Sequence, residues 1–469
     1  MNKYKILVYN QDTHGVGFYR MTQPALQLNK DYSDIFDIEI NPLADVNNDD
    51  YIKQFSMIWC HRTIVDYNNM ESYMKKMRSF GIKVVLDIDD YWSVPETHYL
   101  YHDLKASGLA KMIINNIKLV DAVTTTNPYF ASLIRPFNKN VFVIENGIDT
   151  SLDQYNEEKN NSKFTRIGYL GGSSHYEDLS LLKDGFEIML NDSSIENKYQ
   201  FNLVGWDLRG TMTENKVNDE LYREFVEEMQ NVYKIQYTRE LANLLAKAGQ
   251  DLSRINNFPQ PLVEKYNNKL VTRTQRAIKP TESIWYKYEK DIFTSNYKLI
   301  KDKNYYEYLM EFNLNDRFGN ELEEQPYVRH KTDGIYEFAK NYKHIDVALA
   351  PLKVTGKVKN GILLMNDNNN FQLCKSNLKI LESAFYKTPI ICSEISTYTY
   401  DKDFQHGKNI LFVSPERQEK DWYKNIKRLI NNPNERIDMG LLAYETVKDK
   451  YNLKTLTEKR KDIYLSILK

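Results

Sequence analysis

Apolar and polar positions fall into two alternating rhythms over the first 150 residues. Tyr4 to Tyr9 (YKILVY) is a short apolar run with β-branched members, the signature of a strand. Ser56 to Trp59, Ile82 to Ile88 (IKVVLDI), Asp121 to Thr125 (DAVTT) and Asn140 to Ile144 (NVFVI) repeat it. Between them, Phe18 to Leu28, Asp66 to Phe80 and Leu104 to Val120 space their apolar residues at helical intervals, the first interrupted near Pro24. Strands alternating with helices predict a parallel sheet covered on both faces. Ligands of such sheets sit at the carboxyl ends of the strands.

The second half restarts the pattern. Arg166 to Leu170 (RIGYL) predicts a strand that ends in Gly171-Gly172-Ser173-Ser174-His175, followed by a helix around Asp178 to Leu190. Gln200 to Val204, Asp346 to Leu349, Pro389 to Ser393 and Asn409 to Phe412 predict further strands. Residues 208–331 break the rhythm. That stretch is long, charged and mostly helical in pattern, as in Asn218 to Val232 and Thr238 to Ala248, and reads as an insertion. The tail from Asp421 is helical, with Pro433 suited to a first turn. The expected organisation is a Rossmann-like domain over 1–150, a second over 151–450 carrying the insertion, and a C-terminal helix over 451–469.

Composition narrows the classes. Hydrophobic residues make up 42%, enough for ordinary cores. Lys plus Arg (63) balances Asp plus Glu (64), so no global charge draws the chain to nucleic acid or an anionic membrane. No apolar run approaches the ~20 residues that span a bilayer, and the N-terminus lacks a signal peptide's pattern. Three cysteines without a CxxC pair suit reduced thiols in a cytoplasmic protein. Abundant Tyr, Asn, Lys and Ile suit an AT-rich gene, such as that of a phage or an AT-rich bacterium.

The most informative stretch is Lys375-Ser376-Asn377-Leu378-Lys379-Ile380-Leu381-Glu382. A helix is expected to begin near Ser376, a plausible N-cap residue, and to end before Pro389. On its wheel Lys375, Lys379 and Glu382 fall within about 60° of one another. Leu378, Leu381 and Phe385 form another face, suited to the core. Two cations and a carboxylate beside a helix N-terminus suit a nucleoside diphosphate: lysines and backbone N–H groups for phosphate, the carboxylate for ribose hydroxyls. The same spacing equally suits a solvated, salt-bridged face.

Other stretches offer chemistry of their own, each with a plainer structural reading beside it. Gly171-Gly172-Ser173-Ser174 allows close approach of backbone N–H groups to phosphate, or is only a tight turn. Asp87-Ile88-Asp89-Asp90 contains the Asp-x-Asp of metal-dependent sugar transfer, or is a polar strand end. Gly15-Val16-Gly17-Phe18-Tyr19-Arg20 lacks the third glycine of a dinucleotide fingerprint.

Taken in order, these segments resemble the GT-B glycosyltransferases of the large retaining family 4, or "group 1", of sucrose-synthase-like and lipopolysaccharide-type enzymes. Glu382-Ser383-Ala384 followed by Lys387-Thr388-Pro389-Ile390-Ile391 resembles the second half of that family's donor motif. Cys374 stands eight residues earlier, where the family commonly has Glu. The Lys-Ser-x-x-Lys-x-x-Glu pattern resembles a variant seen in phage and surface-polysaccharide gene sets. Asp121 to Thr126, Asn146-Gly147-Ile148-Asp149, Arg166 to Gly172, Gln200 to Gly205, Asp346 to Leu352 and Gly407 to Phe412 resemble the family's other landmarks in sequence order. The family's basic pair downstream of the Gly-rich turn is absent; His175 and Glu177 stand there, and Lys375, Lys379 or Arg329 are candidates to supply the charge.

The resemblance implies an α/β GT-B fold, two Rossmann-like domains facing across a cleft, with a largely helical insertion in the second. It implies sugar transfer from a nucleoside diphosphate sugar with retention of configuration, and no metal or other cofactor. Donor-binding residues are expected to be Gly17, Gly171, Gly172, Ser173, Ser174, His175, Lys375, Ser376, Lys379 and Glu382. Asp90, Lys375 and Lys379 are the expected catalytic residues. Tyr19, Arg20, Asp89, Trp92 and His98 are expected at the acceptor, which is left open among a glycan, a lipid-linked sugar, a protein and modified DNA. Two rivals accompany this expectation: a phage DNA-modifying glycosyltransferase with a basic patch in 253–280, and a non-catalytic sugar-binding or virion protein that keeps the fold.

Overall fold

The computed structural model describes residues 3–10, 12, 15–206, 208, 211–236, 241, 252–255, 258–278, 280–310, 319–330, 333–359, 362–365 and 369–469. Internal contacts gather the chain into two compact units, one of residues 1–207, 288–309 and 314–469, the other of 208–287 and 310–313. The first unit holds two six-stranded parallel sheets, each supplied by one run of the alternating pattern.

Strands β1 (Tyr4–Tyr9), β2 (Phe36–Ile40), β3 (Met57–His61), β4 (Lys83–Asp87), β5 (Ala122–Thr125) and β6 (Val141–Val143) form the first sheet, in the order β2-β1-β3-β4-β5-β6. Its inner strands β1, β3, β4 and β5 are largely apolar on both faces because both faces are covered. Leu7, Ile58, Val84 and Leu86 enter one core. Ile6, Val8, Met57, Trp59 and Val85 enter the other, with Tyr464 from the C-terminal helix Leu453–Leu468. The chain therefore ends against the sheet with which it began. Gly147 permits the return: a Cβ there would lie 2.8 Å from the Cα of Leu453. Ile148 then exchanges backbone bonds with Tyr451 and Leu453.

The second sheet runs β11-β8-β7-β12-β15-β16. Its members are β7 (Thr165–Leu170), β8 (Tyr199–Val204), β11 (Tyr327–His330), β12 (Val347–Ala350), β15 (Ile390–Ser393) and β16 (Leu411–Val413). In both sheets the chain order reverses beside the first strand: β1 lies between β2 and β3, and β7 between β8 and β12. A ligand crevice is expected beyond the carboxyl ends of the strands at such a reversal.

The second unit carries the antiparallel pair β9 (Thr211–Val217) and β10 (Val271–Ala277), with helices Asp219–Asn231 and Gln260–Tyr266 around Phe225, Met229, Leu262 and Tyr266. A further antiparallel pair, β13 (Gly356–Lys359) and β14 (Ile362–Met365), precedes the segment Lys375 to Glu382. The ribbon β9–β10 adds strands to a stretch expected to be mostly helical. The expected helix over Thr238 to Ala248 falls almost wholly outside the described residues, as do several side chains of the basic stretch 253–280; Lys265, within it, pairs with Glu228. Among the described residues no helix is long and apolar enough to cross a membrane.

Candidate functional site

The loops beyond β1 and β7 meet at a cavity of about 310 Å³. Beyond β1 the described chain is helical from Gly15. A π-helical turn, Phe18–Thr22, leads into the helix Gln23–Asp31, with Pro24 in its first turn. The irregularity lies in the turn directly before Pro24, whose missing N–H and ring bear on the carbonyl of Arg20 within it. Such turns often mark functional positions, and this one carries Tyr19 and Arg20 into the cavity wall.

From the second sheet's side, Gly171 and His175 line the cavity with Lys375, Ser376, Lys379 and Glu382. The helix expected near Ser376 begins later, at Leu378, and runs to Phe385. Asn377, not Ser376, stands at its N-cap position, without a side-chain cap bond. Lys375 consequently sits on the segment before the helix. Lys379 and Glu382 project from its first turns, and all three residues still reach one cavity. The apolar face forms as expected, with Leu381 and Phe385 in the core and Leu378 packed against it.

Electrostatics at this wall are unusual. Lys379 donates to the carbonyl of Leu170 and lies over the ring of Tyr169, 4.6 Å from its centroid. Desolvation pushes its amine down to about 8, against the pull of Glu382. Glu382 is 5% exposed, and burial raises its carboxyl above the usual range although Tyr19 donates to it. Tyr19 in turn shares a hydrogen bond of 2.8 Å with Tyr155. Gly171 leaves room for the lysine: a Cβ there would lie 2.7 Å from the Lys379 amine.

On the first sheet's side, acids and bases alternate. Arg62, just past β3 with φ of 60°, donates to Asp90 at 2.8 Å; Asp90 also lies 3.7 Å from Lys375. Asp89 lies 3.3 Å from His61. Burial alone would raise the Asp89 carboxyl, but the His61 hydrogen bond and the Arg62 charge hold it well below the usual range. Asp87 receives both forks of Arg20, at 2.9 and 2.8 Å, and a bond from Thr124 at 2.6 Å. The Asp-x-Asp triplet therefore pairs internally with basic side chains. Its first carboxylate belongs to the core of the sheet.

The remaining expected residues separate into those at a cavity and those in its support. Arg20 touches the cavity, but its guanidinium is bound to Asp87, the Ile144 carbonyl (2.7 Å) and Asn146 (3.1 Å), so it ties β4 to the end of β6. Gly17 is buried; a Cβ there would meet the Asp12 carbonyl, and its small size serves loop packing. Gly172 and Ser173 open the short 3-10 turn Ser173–His175 and line neither cavity described here. Ser174, Trp92 and His98 line an adjoining cavity. His175 lines both, its Nδ1 3.0 Å from Asp178. Burial lowers its pKa, and that of His98 as well. Arg329, a candidate to supply charge to the Gly-rich turn, lies away from this cavity. It is buried on β11 against Glu289 (2.8 Å) and supplies no charge to this cavity.

Sequence patterns did not single out the residues that join the two sides. Asn127, capping the helix Pro128–Ile134, donates to the carbonyls of Cys374 (3.0 Å) and Lys375 (2.9 Å). Asn146 donates to Ser376 at 3.0 Å. Cys374 is wholly buried in the first sheet's apolar core, away from the cavity. Arg62 had one available signal, a basic residue directly after an apolar strand beside the chain reversal.

No protein-family model matches the sequence, and no curated protein matches it. Solved structures share its fold. HepE of Anabaena in complex with UDP is 10% identical, with a TM-score of 0.52 over 99% of this chain and 100% of that one. Sucrose-phosphate synthase of Thermosynechococcus elongatus is 11% identical, with a TM-score of 0.52 over 99% of both chains. A glycosyltransferase from Rickettsia africae is 12% identical, with a TM-score of 0.51 over 100% of both. Two parallel six-stranded sheets with these neighbours define the GT-B fold.

Proposed function

We propose that the chain is a glycosyltransferase that moves a sugar from a nucleoside diphosphate sugar to an acceptor held on the side of the first sheet. The observation that carries this is the convergence of Lys375, Lys379 and Glu382 with the Gly171 turn on one cavity, where both sheets reverse their strand order. The solved HepE complex with UDP, of the same fold, makes a uridine nucleotide the first donor to test.

In this proposal Lys379 and Lys375 neutralise the charge that develops on the departing diphosphate as the bond from the anomeric carbon breaks. A half-desolvated amine beside a glycine turn interacts more strongly with phosphate than one in open water. Glu382, buried and raised in pKa, accepts hydrogen bonds from ribose hydroxyls while Tyr19 fixes its other side. Asp90, anchored by Arg62, accepts the hydrogen bond of the acceptor hydroxyl and orients its oxygen toward the anomeric carbon. Family resemblance supports retention of configuration.

The test is calorimetric titration with UDP, followed by assay of UDP-glucose, UDP-N-acetylglucosamine and GDP-mannose for transfer or hydrolysis. Binding of at least one nucleotide is expected, weakened about 10- to 100-fold in Glu382→Gln through loss of charge-assisted hydrogen bonds. Absence of binding and turnover with all of them would sink the proposal.

A further inference from the structure

A second cavity, of about 320 Å³, adjoins the first through three shared residues, Asp90, His175 and Lys375. Its chemistry changes with distance from them. At the shared end stand a paired carboxylate, a lysine and a histidine held by Asp178. Beyond them the lining is mixed: Arg62, His98, Ser174, Glu177, Asp178 and Gln372 contribute polar groups, while Trp92, Leu100, Leu104, Leu109 and Ile113, with Phe371, make an apolar stretch of wall. None of the six apolar residues lines the first cavity.

The apolar stretch joins side chains anchored in the first sheet's core, Ile113, Leu109 and Trp92, to ones on an element with little packing of its own. The helix Tyr101–Ser107 buries none of its residues fully. Gly108, with φ of 68°, breaks it from the helix Leu109–Leu119. The break puts Leu104 and Leu109, from two separate helices, on one cavity wall. Leu100, Leu104 and Leu109 are only partly covered by protein. Covering such side chains with an apolar ligand removes their remaining surface from water, a favourable change proportional to area. A sugar bound at the polar residues would leave those leucines uncovered, since its hydroxyls need polar partners.

We propose that this second cavity receives the alkyl chain of an amphipathic acceptor, whose hydroxyl-bearing head is thereby delivered to Asp90 and His175. This rests on the glycosyltransferase proposal for the sense of "acceptor", but the binding it describes is measurable without turnover. The chain lies along Leu100, Leu104, Leu109 and Ile113, and the head meets the polar residues shared with the donor cavity.

Octyl β-D-glucoside, kept below its micellar concentration, and methyl β-D-glucoside share a head and differ in chain length. Calorimetric titration of the full-length protein with each, and with UDP, separates the outcomes. Octyl glucoside is expected to bind about 30-fold or more tightly than methyl glucoside. Leu104→Glu, at a partly exposed position, and the milder Leu100→Ser are each expected to remove most of that preference and to leave UDP binding unchanged. Equal binding of the two glucosides, no binding of either, or a preference untouched in both variants overturns the proposal. Octyl preference without UDP binding upholds the cavity assignment while the donor assignment fails. UDP binding without octyl preference does the reverse.

Discussion

Two cations of the second sheet's half invite comparison because each is drawn out of water beside a carboxylate. Arg329, on β11, is wholly enclosed. It reaches Glu289 at 3.0 and 2.8 Å and donates to the carbonyl of Leu309, while Tyr297 donates to the same Glu289 at 2.9 Å. Lys379 lies near Glu382 but shares no direct bond with it; the lysine donates to Leu170, and the glutamate accepts from Tyr19. The guanidinium's charge is compensated within the protein. The ammonium's is compensated incompletely, and it faces a cavity. A closed buried pair serves packing, whereas an open one is poised to take a ligand of opposite charge.

The largest expected effect is on the closed pair. Arg329→Ala leaves Glu289 buried without its counter-ion, and such losses cost about 3–5 kcal/mol. Denaturant titration should show the midpoint falling sharply. UDP affinity of the protein that remains folded should stay near the wild-type value. A stable Arg329→Ala protein that no longer binds UDP would reverse the assignment of these two cations.

Lys379→Met is the complementary break. Methionine preserves the packing of the stem and deletes the charge. UDP affinity is expected to fall about 100-fold, in keeping with loss of a preorganised cationic contact. The thermal midpoint is expected to move by less than about 1 °C, the mark of a stability change under about 1 kcal/mol in a chain this long. A large drop in midpoint would place Lys379 with Arg329 as a structural residue.

This contrast also marks where the sequence was legible. Strands β1, β3, β4, β5, β7, β8, β12 and β15 announced themselves as apolar runs because both faces of each sheet are buried. β2 (FDIEI) did not: it is an edge strand with acids at alternate positions. β11 (YVRH) hid inside a charged stretch, since its arginine is neutralised only by a glutamate forty residues earlier. The same blindness attached Arg329 to the cavity, for nothing local reveals Glu289 as its partner. Lys375, Lys379 and Glu382 were legible as a group, but the helical wheel assigned Lys375 to a helix that begins three residues later. Asn127, Asn146 and Arg62 escaped because their significance lies in contacts between segments far apart in sequence.

The smallest effect is the one most specific to Lys379. With its amine lowered to about 8 by desolvation, the native protein holds fewer protons than the unfolded chain between that pH and the ordinary lysine value of 10.5. This group's contribution to stability therefore rises with pH across that window. Ligand binding has the opposite sign. A diphosphate favours the charged amine and so raises its pKa, and UDP binding near pH 8 takes up a fraction of a proton. UDP affinity should fall as the pH rises through about 8, by up to about tenfold per pH unit. Titrations at pH 8, where UDP itself is in one protonation state, in two buffers of different ionisation enthalpy measure the uptake directly. Uptake should vanish in Lys379→Met and persist in Arg329→Ala, because only the amine left partly uncompensated by the protein changes its protonation when the ligand arrives.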